Sequence, residues 1–192
     1  MPICVVAYSG QGRLAAAVAR YLQACQILVE GIVDRTTANR AALEELGVPV
    51  SLVPPYRADW EAYLREREVG LIVLAGYLRK VPPGVVATYA GRILNSHPAL
   101  LPAFGGKGMY GRRVHEAVVR HGATESGFTI HLVNKAYDEG PILYQVHIPI
   151  AGLSAEAVEK LIQAVEREVY PRFVEIYWRE KVAFAGAPES VG

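Results

Sequence analysis

Cysteine is scarce in this sequence, with Cys4 and Cys25 the only two in 192 residues. Cys4 lies in an apolar run and Cys25 at the end of a helical pattern, with no metal-ligand spacing around either. Both read as reduced thiols, so neither a disulfide framework nor a metal site is expected. An excess of charge is also lacking. Twenty basic and 19 acidic side chains leave a net charge of +1, too weak a field to gather nucleic acid or an anionic membrane, and a small-molecule site is expected instead. No apolar run approaches the roughly 18 residues that span a bilayer, and Met1 to Gly12 lacks the charged start and apolar stretch of an export signal. A soluble, cytoplasmic protein is therefore expected. Aspartate is rare enough that Asp34, Asp59 and Asp138 are the whole set.

What is present suits one folded domain over residues 1–192: hydrophobic residues make up 52%, enough for a core, with a tail frayed from about residue 185. Ile3 to Tyr8 is a continuous apolar run ended by Ser9-Gly10-Gln11-Gly12 and followed by an Ala/Leu-rich helical pattern from Arg13 to Cys25. Continuous apolar runs mark strands buried on both faces. Further strands are expected over Ile27–Val33, Pro49–Val53, Leu71–Ala75 and from Ile93 to His97. Helices are expected over Thr37–Leu46, about Ala58–Glu68, after Pro82-Pro83 and over about Arg112–Gly122. Gly127–Val133 and Ile142–Ile150 are spaced as a hairpin, and Ser154 caps a last helix running to about Tyr170, with apolar residues continuing to Trp178. The fold class is α/β, Rossmann-like: a mostly parallel central sheet with helices on both faces and a mixed C-terminal part.

Two features carry chemistry. Gly10-Gln11-Gly12-Arg13-Leu14-Ala15 fits G-x-G-x-x-A between strand and helix, with Asp34 ending the next strand. That turn suits a dinucleotide, a single phosphate on a substrate, or close packing alone, although 192 residues leave little room for a dinucleotide enzyme. Asn95 and His97, two apart at a strand end, project from one face and can act on one atom. Asp138, in Tyr137-Asp138-Glu139-Gly140-Pro141, sits in a turn able to fold over the same rim, where a carboxylate would favour the imidazolium of His97. From Pro98 to Gly111, four glycines and two prolines without a period mark a long irregular loop.

Leu74-Ala75-Gly76-Tyr77-Leu78-Arg79, then Asn95-Ser96-His97-Pro98-Ala99-Leu100-Leu101-Pro102, then Asp138-Glu139-Gly140-Pro141-Ile142 closely resemble the folate-dependent formyltransferases, in order and over nearly the whole chain. The resemblance implies 10-formyltetrahydrofolate as co-substrate, no metal, and the glycinamide amine of 5'-phosphoribosylglycinamide, an intermediate of purine biosynthesis, as acceptor. By matching position it makes Asn95, His97 and Asp138 the catalytic three. Gly10, Gln11, Gly12 and Arg13 would hold the acceptor's phosphate. Leu78, Arg79, Lys80 and Val81, with Asn95 and with Asn134, Lys135, Ala136, Tyr137 and Asp138, would enclose the folate, and Gln163 and Glu166 would face the ribose and glycinamide. The expected partners are these small molecules, with neither nucleic acid nor membrane; a homodimer is allowed but not required. The rivals are a formyltetrahydrofolate hydrolase or another folate formyltransferase, a small NAD-dependent oxidoreductase, and a folate or nucleotide sensor.

Departures from the family pattern set further expectations. Arg13-Leu14 stands where the family shows Ser-Asn, which nominates Arg13 as a phosphate fork. Trp60 stands where an arginine near the folate tail is common, and Gly105 to Gly111, with Lys107 and Tyr110, reads as a mobile flap near the phosphate. His115 and His121 are expected on a surface helix and His147 on a strand bordering solvent. His131 is expected to support the site from behind.

Overall fold

The computed structural model describes residues 1–183; the tail expected to fray lies outside the described residues. Five strands, β1 (Ile3–Tyr8), β2 (Val29–Val33), β3 (Val50–Leu52), β4 (Val69–Leu74) and β5 (Ile93–His97), pair in parallel in the order β3-β2-β1-β4-β5. The central β1 and β4 are buried almost throughout, which is why their sequences are continuously apolar rather than alternating. β6 (Glu125–Leu132) and β7 (Ile142–Pro149) extend the β5 edge as an antiparallel hairpin, so the sheet is mixed.

Strand alternation divides the core between the two faces. Cys4, Val6, Tyr8, Leu71, Val73 and Leu94 pack against α1 (Arg13–Ala24), α2 (Ala41–Glu44), α5 (Arg112–Arg120) and α6 (Ala155–Trp178). Val5, Ala7, Ile72, Leu74 and Ile93 pack on the other face against α3 (Arg57–Arg65) and α4 (Pro83–Thr88). Ser154 caps α6, its hydroxyl accepting from the Ala157 N–H at 3.2 Å.

Two helices differ from the sequence expectation. α2 is a single turn rather than Thr37–Leu46, because the preceding backbone is tied to the glycine turn instead: the Asn39 N–H donates to Gly10 O and the Tyr8 hydroxyl to Asn39 O. α6 runs on through Pro171 to Trp178. Proline forfeits one helical hydrogen bond there, but Val174, Tyr177 and Trp178 continue the buried stripe, and that burial outweighs the lost bond.

Candidate functional site

The carboxyl ends of β1, β4 and β5 open onto a cavity of about 850 Å³. Its walls are the glycine turn Gly10–Arg13, the segment Leu78–Val81 after β4, Asn95 to Pro98 ending β5, Asn134–Asp138 between β6 and β7, and Gln163 and Glu166 of α6. Every residue nominated from the sequence as a catalytic, phosphate, folate or ribose contact lines it.

Each wall has a local cause. Gly12 has φ +72°, and a Cβ there would lie 2.8 Å from Ala42 Cβ and 2.9 Å from the Tyr8 ring, so only glycine brings the start of α1 this close to β1. On the hairpin side, Asn134 Oδ1 accepts the Ala136 N–H at 2.8 Å and closes a tight turn. Gly140 then runs so near β6 that a Cβ would sit 1.6 Å from Leu132 O. Between these clamps Asp138 takes φ +55°, and its carboxylate points back to β5. Lys80 lies across this turn, its ammonium 4.6 Å from the Tyr137 ring centroid.

At the centre, His97 Nε2 is 2.8 Å from Phe104 O, and Nδ1 is 3.5 Å from Asp138 Oδ2. A carbonyl only accepts, so Nε2 carries a proton and Nδ1 is the nitrogen that titrates. Burial pulls the His97 pKa below its ordinary value, more than the Asp138 charge and the Phe104 carbonyl push it up. Asp138 does favour the imidazolium, as its charge requires, but in the free protein desolvation outweighs the carboxylate. Burial works to raise Asp138 itself, yet His131, His97 and the Gly106 N–H at 2.9 Å together hold it below the usual carboxylate range. His131 Nδ1 donates to Leu132 O at 2.9 Å, and its Nε2 lies between Asn95 Nδ2 at 3.1 Å and Asp138 Oδ1 at 3.7 Å. The second Asn95 N–H has no hydrogen-bond partner among the described residues.

The other side of the cavity holds a second buried acid. Ser96 Oγ donates to Glu166 Oε1 at 2.5 Å, and burial pushes the Glu166 carboxyl up to about 7. Asp34, the acid of the glycine fingerprint, has a side chain 1% exposed that accepts a fork from Arg35 and faces Arg79 Nε at 3.4 Å. Burial raises Asp34, but hydrogen bonds from Arg35 and Ser9 hold it low. A carboxylate already engaged by two guanidinium groups has little left to offer a ribose diol, which removes the main support for a dinucleotide.

A model of the formyl transferase family matches residues 54–174. The chain belongs to that family. Phosphoribosylglycinamide formyltransferase of Escherichia coli is 32% identical over 183 residues, covering 87% of this chain and 82% of the relative. The chloroplastic enzyme of the same name from Arabidopsis thaliana is 47% identical over 139 residues, 68% of this chain and 47% of the relative; the chain spans about half the length of the plant relatives it matches. Among solved structures, glycinamide ribonucleotide transformylase 1 from Geobacillus kaustophilus superposes with a TM-score of 0.82 at 31% identity, covering 92% of this chain and 98% of that one.

The structure also corrects the sequence expectations. His115 is not on the surface: it is buried against α6, it lines the cavity, its Nδ1 has no partner, and burial lowers its pKa. Trp60 is a core residue packed edge-on against Tyr77 and does not line the cavity. The start of the glycine-rich loop is tied to the centre through Phe104 O and the Gly106 N–H. Sequence reasoning missed Ser96 and Phe104. The alternation of β5 carried a signal for Ser96; a backbone carbonyl at φ +55° leaves none for Phe104.

Proposed function

We propose that the chain transfers the formyl group of 10-formyltetrahydrofolate to the glycinamide amine of 5'-phosphoribosylglycinamide. The observation that carries this reading is the convergence of Asn95, His97 and Asp138 in one cavity with a glycine turn at a helix N-terminus and a buried glutamate. A volume near the upper end of small-molecule sites suits two substrates side by side.

The amine lone pair attacks the formyl carbon, and the carbonyl becomes a tetrahedral oxyanion. The free Asn95 N–H donates to that oxygen, a contact whose loss typically costs on the order of 10² to 10³ in rate. As the amine bonds to the carbon it becomes acidic, and His97 Nδ1, unprotonated in the free protein, takes the proton that the amine gives up, with Asp138 beside it to stabilise the imidazolium. The C–N bond to the folate then breaks, and the folate nitrogen takes that same proton from His97, which leaves the formamide and returns the imidazole to its starting state. Leu78–Val81 and Asn134–Asp138 enclose the folate, the N–H groups of Gly10–Arg13 and the Arg13 guanidinium meet the phosphate, and Gln163 and Glu166 meet the ribose.

Ultraviolet monitoring of folate deformylation with and without the ribonucleotide tests the reading. Turnover only with the acceptor is expected. Acceptor-independent turnover indicates a hydrolase, and no turnover with either refutes formyl transfer.

A further inference from the structure

Ser96 is the residue between Asn95 and His97. Strand alternation turns its side chain to the opposite face of β5, the face where Leu94 meets α1, α5 and α6. There its hydroxyl meets Glu166, and both residues are buried. The proposed chemistry uses the strand positions on either side of Ser96 but not Ser96 itself.

We propose that Ser96 is a positioning residue for the acceptor: it fixes the Glu166 carboxylate in one orientation, so that a vicinal diol seated on that carboxylate is held in register with Asn95 and His97. The proposal rests on the formyl-transfer reading and adds to it the device that couples the two substrate subsites. A carboxylate accepts through about four lone-pair sites. Ser96 takes one on Oε1 and leaves Oε2, with the remainder of Oε1, for two ligand hydroxyls. A glutamate side chain without such an anchor keeps its rotamer freedom until the ligand arrives, and binding then bears the cost of ordering it. Because the anchor stands on the strand that carries Asn95 and His97, the diol is placed relative to those two residues by a single rigid element.

The hydroxyl also bears on charge. Burial raises the Glu166 carboxyl, and the Ser96 donation and Arg167 pull the other way. Other titratable and charged groups near this wall are Tyr170 on α6, Arg13 on α1, and Arg113 and His115 on α5. A charge-assisted bond to a diol is stronger than a neutral one, so acceptor affinity falls as Glu166 protonates.

The test is steady-state kinetics of the full chain with Ser96→Ala, Ser96→Thr, Glu166→Gln and the double variant Ser96→Ala/Glu166→Gln. Ser96→Ala is expected to raise the acceptor KM roughly tenfold, far more than it lowers kcat or alters the donor KM. The pH below which that KM climbs should move upward in Ser96→Ala and return in Ser96→Thr, which keeps the hydroxyl. On the Glu166→Gln background, Ser96→Ala should add little. An unmoved acceptor KM and pH profile in Ser96→Ala, a folded Ser96→Thr that does not restore them, or an equal effect on both backgrounds overturns the proposal. Wild-type protein without acceptor-dependent turnover overturns the formyl-transfer reading and this proposal with it. Wild-type turnover with an unaffected Ser96→Ala overturns the proposal alone.

Discussion

Glu166→Gln should make the protein more stable at pH 8 and hardly change it at pH 4.5. Glu166 is buried, and its carboxyl titrates near 7 rather than at its ordinary 4.5. Between those values the folded chain holds a proton that the unfolded chain has released, so stability falls as pH rises, at about 1.4 kcal/mol per pH unit. From 4.5 to about 7 the loss amounts to about 3 kcal/mol, complete above the folded value. Glutamine keeps the shape and the acceptor for Ser96 but has no proton to lose. Urea unfolding of both proteins at pH 4.5, 6 and 8 isolates the effect as a difference of differences, in which the intrinsic cost of the amide and the titration of every other group cancel. The stability of Glu166→Gln relative to wild type should grow by about 3 kcal/mol across that range and then level off, equivalent to several degrees in Tm for a domain of this size. A gap that stays constant with pH would refute the burial argument, whatever the variant does to activity.

Asp138→Asn keeps the volume and an acceptor for the Gly106 N–H but removes the charge facing His97 and His131. Its kcat should fall on the order of 10² while urea midpoints stay near wild type; a kcat within threefold of wild type removes the carboxylate from the mechanism. His115→Gln tests the acid side of the stability curve. Burial holds the His115 pKa below its ordinary 6.5, so its contribution is present above that pH and is lost as pH falls through the folded value. The variant should show a shallower loss of stability between pH 7 and 5, and an unchanged slope would place the orphan imidazole outside the acid transition. Arg13→Ala should raise the acceptor KM roughly tenfold with kcat little changed, since Arg13 lines the cavity at the start of α1. An unchanged KM would leave the phosphate to the backbone N–H groups alone.

The strands were legible because burial on both faces demands uninterrupted apolar residues, and Ile3–Tyr8 and the Leu71–Ala75 run satisfy that demand without help from distant contacts. Asn95 and His97 were legible as a pair for the same local reason, a spacing of two on a strand. Asp138 was not: it reaches His97 through a turn set by Asn134 and Gly140 and through a loop tied by Gly106, none of which is a neighbour of β5 in sequence. Only the family resemblance supplied it. His115 shows the converse. In Arg112–Arg120 the buried positions are Val114, His115, Ala117 and Val118, a readable helical stripe, and only the polarity of histidine suggested the surface. The length of α2 turned on Asn39 bonding to Gly10, a contact between two loops that no local propensity encodes.

The mixed edge of the sheet is part of how the site is built. A parallel partner for β5 would require a crossover connection across one face of the sheet. The antiparallel β6 instead arrives through α5 and lays His131 directly opposite Asn95 and Thr129 opposite His97. Side chains opposite one another share a face. The pairing that closes the sheet therefore also supplies the imidazole that orients the Asn95 amide. Thr129 in turn accepts the Leu101 N–H at 3.0 Å and donates to Ala99 O at 2.7 Å, fastening the loop that returns Phe104 O to His97. A slip of one residue between β5 and β6 would exchange these faces, placing Ser96 where Asn95 and His97 now stand and turning both of those toward α6. The register of this antiparallel strand pair thus fixes which side of β5 carries Asn95 and His97 beside Asp138 and which side carries Ser96 beside Glu166.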